Sequence, residues 1–254
     1  MSNTLFVGFN KTLELPKRGF LYIGDEVPDV PQARVFDPLK HSFNPLKGLD
    51  YRKECDIVDS FDVAFPRGDG TLTKDTGLDF IAECLQAKPK SLRQLVPVPA
   101  KTASTGHVWA YNKVRRILRS PVLSAALCNA APPAFSFNTR SVILARINRA
   151  ELGDFDALVL GLFLIAQFKE QIVLEDGGFY LRELHANLLR EGRLIAGVNV
   201  LEELPPKLRR LALQQCERFA EGTTYEDAVE LAKYDCGFPP GALEYNGFIS
   251  EAMA

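Results

Sequence analysis

The five cysteines of this 254-residue chain, Cys55, Cys84, Cys128, Cys216 and Cys236, lie far apart, and no two form a CxxC pair. That lack excludes a zinc site of ordinary spacing and a disulfide framework, and the cysteines read as reduced thiols of a cytoplasmic protein. Charge of one sign is lacking too. Thirty Lys and Arg against 32 Asp and Glu leave a formal net charge of -2. The chain as a whole is therefore no polyanion binder, and nucleic-acid contact must come from a local patch or from assembly. Long hydrophobic runs are missing as well: the longest, residues 157–168, is interrupted by Gly161 and Gln167 and is too short to span a bilayer. The opening residues MSNTLFVGFNKTLEL show no basic stretch followed by a long apolar run. They are not expected to be a signal peptide, nor the chain to insert into a membrane. No internal repeat or low-complexity tract is found.

What is present is ordinary globular material, 46% hydrophobic and 24% charged, enough for one large domain or one domain with an inserted subdomain. Residues 4–9 (TLFVGF) and 19–24 (GFLYIG) read as short buried strands; Pro16 and the Lys17-Arg18 pair between them leave room for one helical turn. A proline-rich segment, 28–45, surrounds a third strand at 33–37. Helices are expected at 51–65 and 75–86, the latter with Leu78, Ile81, Ala82 and Leu85 on one face and Asp75 or Thr76 as its cap. Residues 88–106 are linker-like. Thr105 then caps a basic amphipathic helix, 107–119, and Ser120-Pro121 restarts a helix through Leu127. We expect 51–133 to be a mostly helical insertion or lid on an α/β core made of 1–50 and 134–254.

That core alternates strands at 142–147, 171–174 and 193–198 with helices at 154–168, 179–191 and 205–220. Continuous apolar strands alternating with helices of this length call for a parallel sheet covered on both faces. Ligands of such sheets bind at the carboxyl ends of the strands. After the first strand come Gly8, Phe9, Asn10, Lys11 and Thr12. A phosphate-binding loop needs glycines so that backbone N–H groups can wrap the phosphates, then a lysine, then a hydroxyl for magnesium. Lys11-Thr12 matches the tail of that pattern, while Leu5 and Asn10 occupy its glycine positions and Pro16 truncates the helix that should follow. The alternative is a lysine in an ordinary loop.

Strand 171–174 ends in Glu175 and Asp176, two adjacent carboxylates that are costly to place there unless they hold a metal or polarise water. In a phosphate-hydrolysing site Glu175 would hold Mg²⁺ through water and Asp176 would activate the attacking water; Glu-Asp-Gly-Gly is equally good turn chemistry. Asn199 ends the next strand, placed to contact a γ-phosphate or to bond its own turn. Arg149 is placed to face a phosphate of a neighbouring subunit or to pair with Glu151. Lys113, Arg115, Arg116 and Arg119 are the cations of the basic helix, serving nucleic acid or a solvated face; His107 and Trp109 at its start read as packing residues.

Taken in order, these segments resemble the HerA/FtsK-like and type IV secretion coupling ATPases. QIVLEDGGFYLRELHANLLREGRLIAGVNVLEELPPKLRRLAL is similar to the family's run from the Walker B strand to the sensor strand and its "xxLPxxLR". SVILARINRAELGDFDALVLGLFLIAQF resembles its "N-x-x-x-x-L-G" strand and helix, and FDPLKHSFNPL its "DP…FNPL" segment. The likeness spreads from Ala33 to about Ala232 and is strongest over 141–210. It implies a RecA-like P-loop NTPase fold with a helical insertion, bound ATP and Mg²⁺, and a homo-oligomeric ring that moves DNA. By the resemblance, Gly8, Asn10, Lys11 and Thr12 correspond to the phosphate loop, with Thr12 and Glu175 at the metal. Glu175 and Asp176 correspond to the Walker B pair, in the order Glu-Asp where Asp-Glu is usual, and Asn199 replaces a sensor glutamine. The functions implied are a DNA-translocating, packaging or transfer ATPase subunit, or an inactive structural or regulatory relative pairing with an active ATPase. A nucleic-acid-binding module using the 107–119 helix is the reading from another class.

Overall fold

A computed structural model describes residues 3–8, 13, 15–66, 71–128, 134–137 and 141–234. Seven strands form one all-parallel sheet. They are β1 (Asn3–Val7), β2 (Phe20–Gly24), β3 (Arg34–Phe36), β4 (Ile143–Arg146), β5 (Gln171–Leu174), β6 (Leu194–Val198) and β7 (Cys216–Ala220). Their order across the sheet is β3-β4-β2-β5-β6-β1-β7. Position in the sheet matches sequence character. Every residue of the interior strands β1, β2, β5 and β6 is buried, as strands covered on both faces require. The edge strands β3 and β7 carry exposed residues. The expected α/β fold is the observed one.

The chain divides into two compact units, one of residues 1–33, 139–144 and 170–254, the other of 34–138 and 145–169. In the first, β1 pairs with β6 on one side and β7 on the other, while β5 pairs with β2 and β6. Phe6, Phe20, Tyr22, Leu144, Val173 and Ile195 form its core cluster. Asn3 is polar yet buried, and both ends of its amide are used. Its Nδ2 donates to the Leu189 carbonyl and its Oδ1 accepts from the Leu194 amide at 3.0 Å. It thereby fixes the register of β1 on β6. After β1 the chain turns at Gly8, whose φ is +126° and whose N–H donates to Val198 O at 3.0 Å. A Cβ there would stand 1.7 Å from the carbonyl oxygen of Glu221.

Two expectations in this unit need correction. The helix expected at 179–191 is three short pieces: α8 (Gly177–Tyr180), a 3-10 turn (Glu183–His185) and α9 (Ala186–Arg190). The break is at Leu181 and Arg182, which are extended, and His185 holds it by accepting the Arg182 N–H on Nδ1 at 2.9 Å. The helix expected at 205–220 stops at Gln215: α10 is Pro206–Gln215, and 216–220 is the edge strand β7. Its five residues pair in register with β1, so the ladder offered by β1 outweighs a helical continuation. A last helix, α11 (Tyr225–Ala232), is capped by Thr224.

The second unit is helical apart from its strand residues. It contains α1 (Tyr51–Ala64), α2 (Thr71–Gln86), α3 (Leu92–Leu95), α4 (Thr105–Arg119), α5 (Pro121–Leu127), α6 (Arg149–Leu152) and α7 (Asp154–Gln167). Helix α2 begins four residues before the expected Asp75, and Thr76 is no cap. Its hydroxyl donates to the carbonyls of Leu72 and Thr73, as an interior helical threonine does. Ser104, not Thr105, caps α4, and α7 begins at Asp154 after Gly153, without a side-chain cap. Gly77 and Gly106 let α2 and α4 close together, since a Cβ would meet the Trp109 ring at 2.3 Å or Thr76 O at 2.6 Å. Helix α7 is buried over most of its length, and it accommodates both residues that interrupt its apolar run. Gly161 is buried there, and Gln167 accepts from Lys53 Nζ at 2.6 Å while donating to Pro45 O at 2.9 Å. Burial lowers the Lys53 pKa to about 8.

Gly8→Ala places a methyl group on a carbonyl that cannot swing aside and is expected to cost about 3 kcal/mol or more in urea unfolding. His185 is buried and its pKa is lowered to about 4, so the folded state resists a proton that the unfolded state accepts near the ordinary value. Its contribution is complete above pH ~6.5 and is lost as the pH falls towards 4, by about 3 kcal/mol, and His185→Gln should flatten stability across that window.

Candidate functional site at the strand ends

The strand order contains a topological switch. From β1 the chain leaves towards β2, on the far side of β6 and β5; from β6 it leaves in the opposite direction, over β1, to β7. Adjacent parallel strands whose connections part in this way leave a crevice at their carboxyl ends, and ligands of open α/β sheets bind there. The residues at that point are Gly8, after β1, and Asn199, after β6. Of the expected phosphate-loop residues Gly8 is placed as described, whereas Asn10, Lys11 and Thr12 lie outside the described residues.

Glu175 follows β5, and its own N–H extends the ladder to Ile23 O at 3.0 Å. Its carboxylate accepts from the Asp25 N–H at 2.9 Å and from the Tyr22 hydroxyl. Burial first, then the Glu175 charge and that hydrogen bond, raise the Tyr22 phenol well above the ordinary range, so the hydroxyl stays a donor. Gly24 makes room for this arrangement: a Cβ would stand 2.2 Å from Glu175 Oε2 and 2.5 Å from the Tyr22 oxygen. Nothing in the sequence singles out Tyr22, Gly24 and Asp25, because the β2–β5 pairing brings them to Glu175 across about 150 residues of chain.

Asp176 is the N-cap of α8, accepting from the Phe179 N–H at 3.0 Å. The Asn199 side chain does not stand free. Its N–H and its Nδ2 both donate to the Glu203 carboxylate, at 2.9 and 3.1 Å. Gly178 packs on Glu203, where a Cβ would sit 2.5 Å from the Glu203 Cβ. Gly8, Glu175, Asp176 and Asn199 thus follow strands of one sheet within one unit, Glu175 with Tyr22 and Asp25 as partners and Asn199 with Glu203. All offer hard oxygen or amide groups, a donor chemistry suited to Mg²⁺ and phosphate rather than to softer metals. Among the described residues no group of three or more His, Cys, Asp or Glu is placed to hold a metal ion by itself.

Arg149 belongs to the other unit, on α6, with Nε 3.5 Å from Asp154 Oδ1. Its expected local partner Glu151 pairs instead with Arg146. The cations of α4 separate into two sets. Lys113 lies over Phe65 and Trp109, and Arg116 over Phe65 and Phe155 at 5.8 and 4.6 Å. Arg115 and Arg119 instead line a groove with Arg93. Trp109 packs against Phe65 and His107 stacks on Phe80, the packing roles expected for both.

No family model and no curated protein matches this sequence. Among solved structures the chain is similar to the bacterial conjugative coupling protein TrwBdeltaN70. The trigonal form, in complex with sulphate, aligns with a TM-score of 0.53 at 13% identity, covering 90% of this chain and 72% of that one. The unbound monoclinic form aligns with a TM-score of 0.55 at 11% identity, covering 91% and 71%. The class of protein defined here is that α/β fold, a RecA-like parallel sheet flanked by helices. Among the described residues no helix is long and apolar enough to cross a membrane.

The Tyr22–Glu175 bond can be measured by a double-mutant cycle. Tyr22→Phe and Glu175→Gln are each expected to cost about 1.5–3 kcal/mol, as for hydrogen bonds to a charged group. The double variant should cost less than the sum by at least ~1 kcal/mol.

Proposed function

We propose that this chain is a subunit of a DNA-transfer or DNA-translocating assembly, taking a nucleotide at the carboxyl ends of β1 and β6. The observation that carries the reading is the switch between those two strands. It points a crevice at the residues that follow Val7, and it has the Glu175-Asp176 pair at the end of the next strand over. The fold shared with a conjugative coupling protein agrees with it.

In this reading Gly8, Asn10, Lys11 and Thr12 embrace the phosphates, and Thr12 and Glu175 hold Mg²⁺, Glu175 through water. ATP supplies a phosphoanhydride whose hydrolysis is coupled to movement of DNA. Asp176 is the group that orients the attacking water, Asn199 meets the terminal phosphate, and Arg149 acts on the nucleotide of a neighbouring copy in a homo-oligomeric ring. Residues 51–133 form the helical insertion. A second reading, a subunit that assembles with an active ATPase without turning nucleotide over, is favoured by two specific observations. Asn199 is held by Glu203 through two hydrogen bonds, and Asp176 is engaged as the cap of α8.

Equilibrium binding of labelled ATP with Mg²⁺, followed by a phosphate-release assay, separates them. The first reading expects saturable binding below millimolar nucleotide, lost in Lys11→Ala. It also expects turnover that Asp176→Ala lowers at least ~10²-fold while binding persists. Binding without turnover in the unmodified chain would move the assignment to the second reading, and no saturable binding would sink the first. Native mass measurement reports whether a ring forms.

A further inference from the structure

The sequence presents α4 as one basic helix, but the fold gives its cations different neighbours: Lys113 is half-buried, while Arg115, Arg116 and Arg119 are exposed. Lys113 and Arg116 rest on the rings of Phe65, Trp109 and Phe155, where the cation is attracted to the aromatic face. Arg115 and Arg119, one helical turn apart, line a groove of about 480 Å³ together with Arg93 from α3. All three arginines are exposed. Among the described residues no carboxylate lines the groove, and none forms an ion pair with any of the three. By contrast, a second basic depression, beside Arg190, Lys207 and Arg210, contains Glu183, which already pairs with Lys207 at 3.2 Å.

The groove is more than a patch of charge. Tyr111 lies in its wall with the Arg115 guanidinium 5.8 Å from the ring centroid, so a planar cation and an aromatic ring adjoin. Arg93 is steadied by a 3.1 Å bond from Nη2 to the Ser124 hydroxyl. Val98, 77% exposed, and Leu118 add apolar surface. Guanidinium forks match phosphate oxygens two at a time and stack on planar groups, which ammonium groups do not. Aromatic rings between such cations are how proteins hold unpaired bases. The shape narrows the choice further: reading a duplex takes a protruding helix or ribbon, and a depression instead receives a strand.

We propose that this groove binds single-stranded nucleic acid, with Arg93, Arg115 and Arg119 on the phosphodiester backbone and Tyr111 stacked on a base. The proposal names a substrate site for the DNA-transfer reading and rests on it for its place in the protein's work. The binding itself requires no ATP. Three phosphate contacts predict a slope of log affinity against log salt near -2, at about -0.7 per contact for single strands.

The test is fluorescence anisotropy of labelled dT12 and U12 with the full chain, without nucleotide, between 50 and 200 mM NaCl. Saturable binding is expected. Replacing Arg115 and Arg119 together by Ala should weaken it at least tenfold at the lower salt and reduce the slope by about 1.4. Tyr111→Ala should weaken it about tenfold at unchanged slope, and Tyr111→Phe should restore it. Lys47→Ala, an exposed single charge elsewhere in the same unit, should change nothing. Preference for dT12 or for U12 assigns the sugar, and either supports the site.

Circular dichroism checks that each variant folds, and Tyr111→Phe and Arg115→Lys keep the question answerable if an alanine does not. Absence of binding to both oligonucleotides overturns the proposal. So does displacement by a polyglutamate peptide with no effect of Tyr111→Ala, which would make the groove a docking site for an acidic protein. The ATP titration is run separately. Loss of nucleotide binding with oligonucleotide binding intact would overturn the strand-end reading and leave this one standing.

Discussion

The pairing of β1 on both of its sides is the constraint on which the carboxyl ends of the sheet depend. Residues 3–7 hydrogen-bond in parallel to β6 and to β7 at once. Residues 3–7 thereby become the interior strand that joins β6 and β7, which follow it only much later in the chain. Buried backbone groups are nearly always paired, so the ladders on its two sides hold β1 in register. Asn3 secures one end of this pairing from within the core, and Gly8 secures the other. There the backbone passes so close to Glu221 that no side chain fits. The switch between β1 and β6 is a consequence of this insertion.

Around that point the polar groups are held by neighbours within the chain. Tyr22 and the Asp25 N–H fix the Glu175 carboxylate, α8 fixes Asp176, and Glu203 fixes Asn199. Close approach of backbone makes this compactness feasible: Gly24, Gly177 and Gly178 each stand where a Cβ would press on a carboxylate, a phenol or the end of β6. Such prior fixation suits a site whose work is to position phosphate and water. It is also what a purely structural strand end would need, and the two differ in whether Asp176 and Asn199 can be released from their local bonds.

Much of this is legible in the sequence. Strand β5 and its acidic end, strand β6 and its amide, and the capped helix restarting at Ser120-Pro121 stand where periodicity and capping chemistry place them. Sequence and structure part where a helical pattern meets a competing partner. Residues 216–220 continue α10 on paper, yet β1 offers them five ladder positions. Residues 181–182 continue a helix on paper, yet the buried His185 ring takes the Arg182 N–H that a helix would use. The basic face of α4 reads as a single surface because spacing along a helix carries no information about Phe65 and Phe155, which lie outside α4 and meet Lys113 and Arg116 as ring partners.

By itself, then, the sequence determined the class of the molecule. Continuous apolar strands alternating with helices demand a parallel sheet, and the acids and amide at their ends lie where such sheets bind ligands. Those are local properties, set by side-chain periodicity and by the cost of burying charge. Only the tertiary structure decided which strands are neighbours, which polar groups at their ends are already engaged, and which arginines share one groove. Each of those depends on segments far apart in the chain meeting, and neither propensity nor spacing records that.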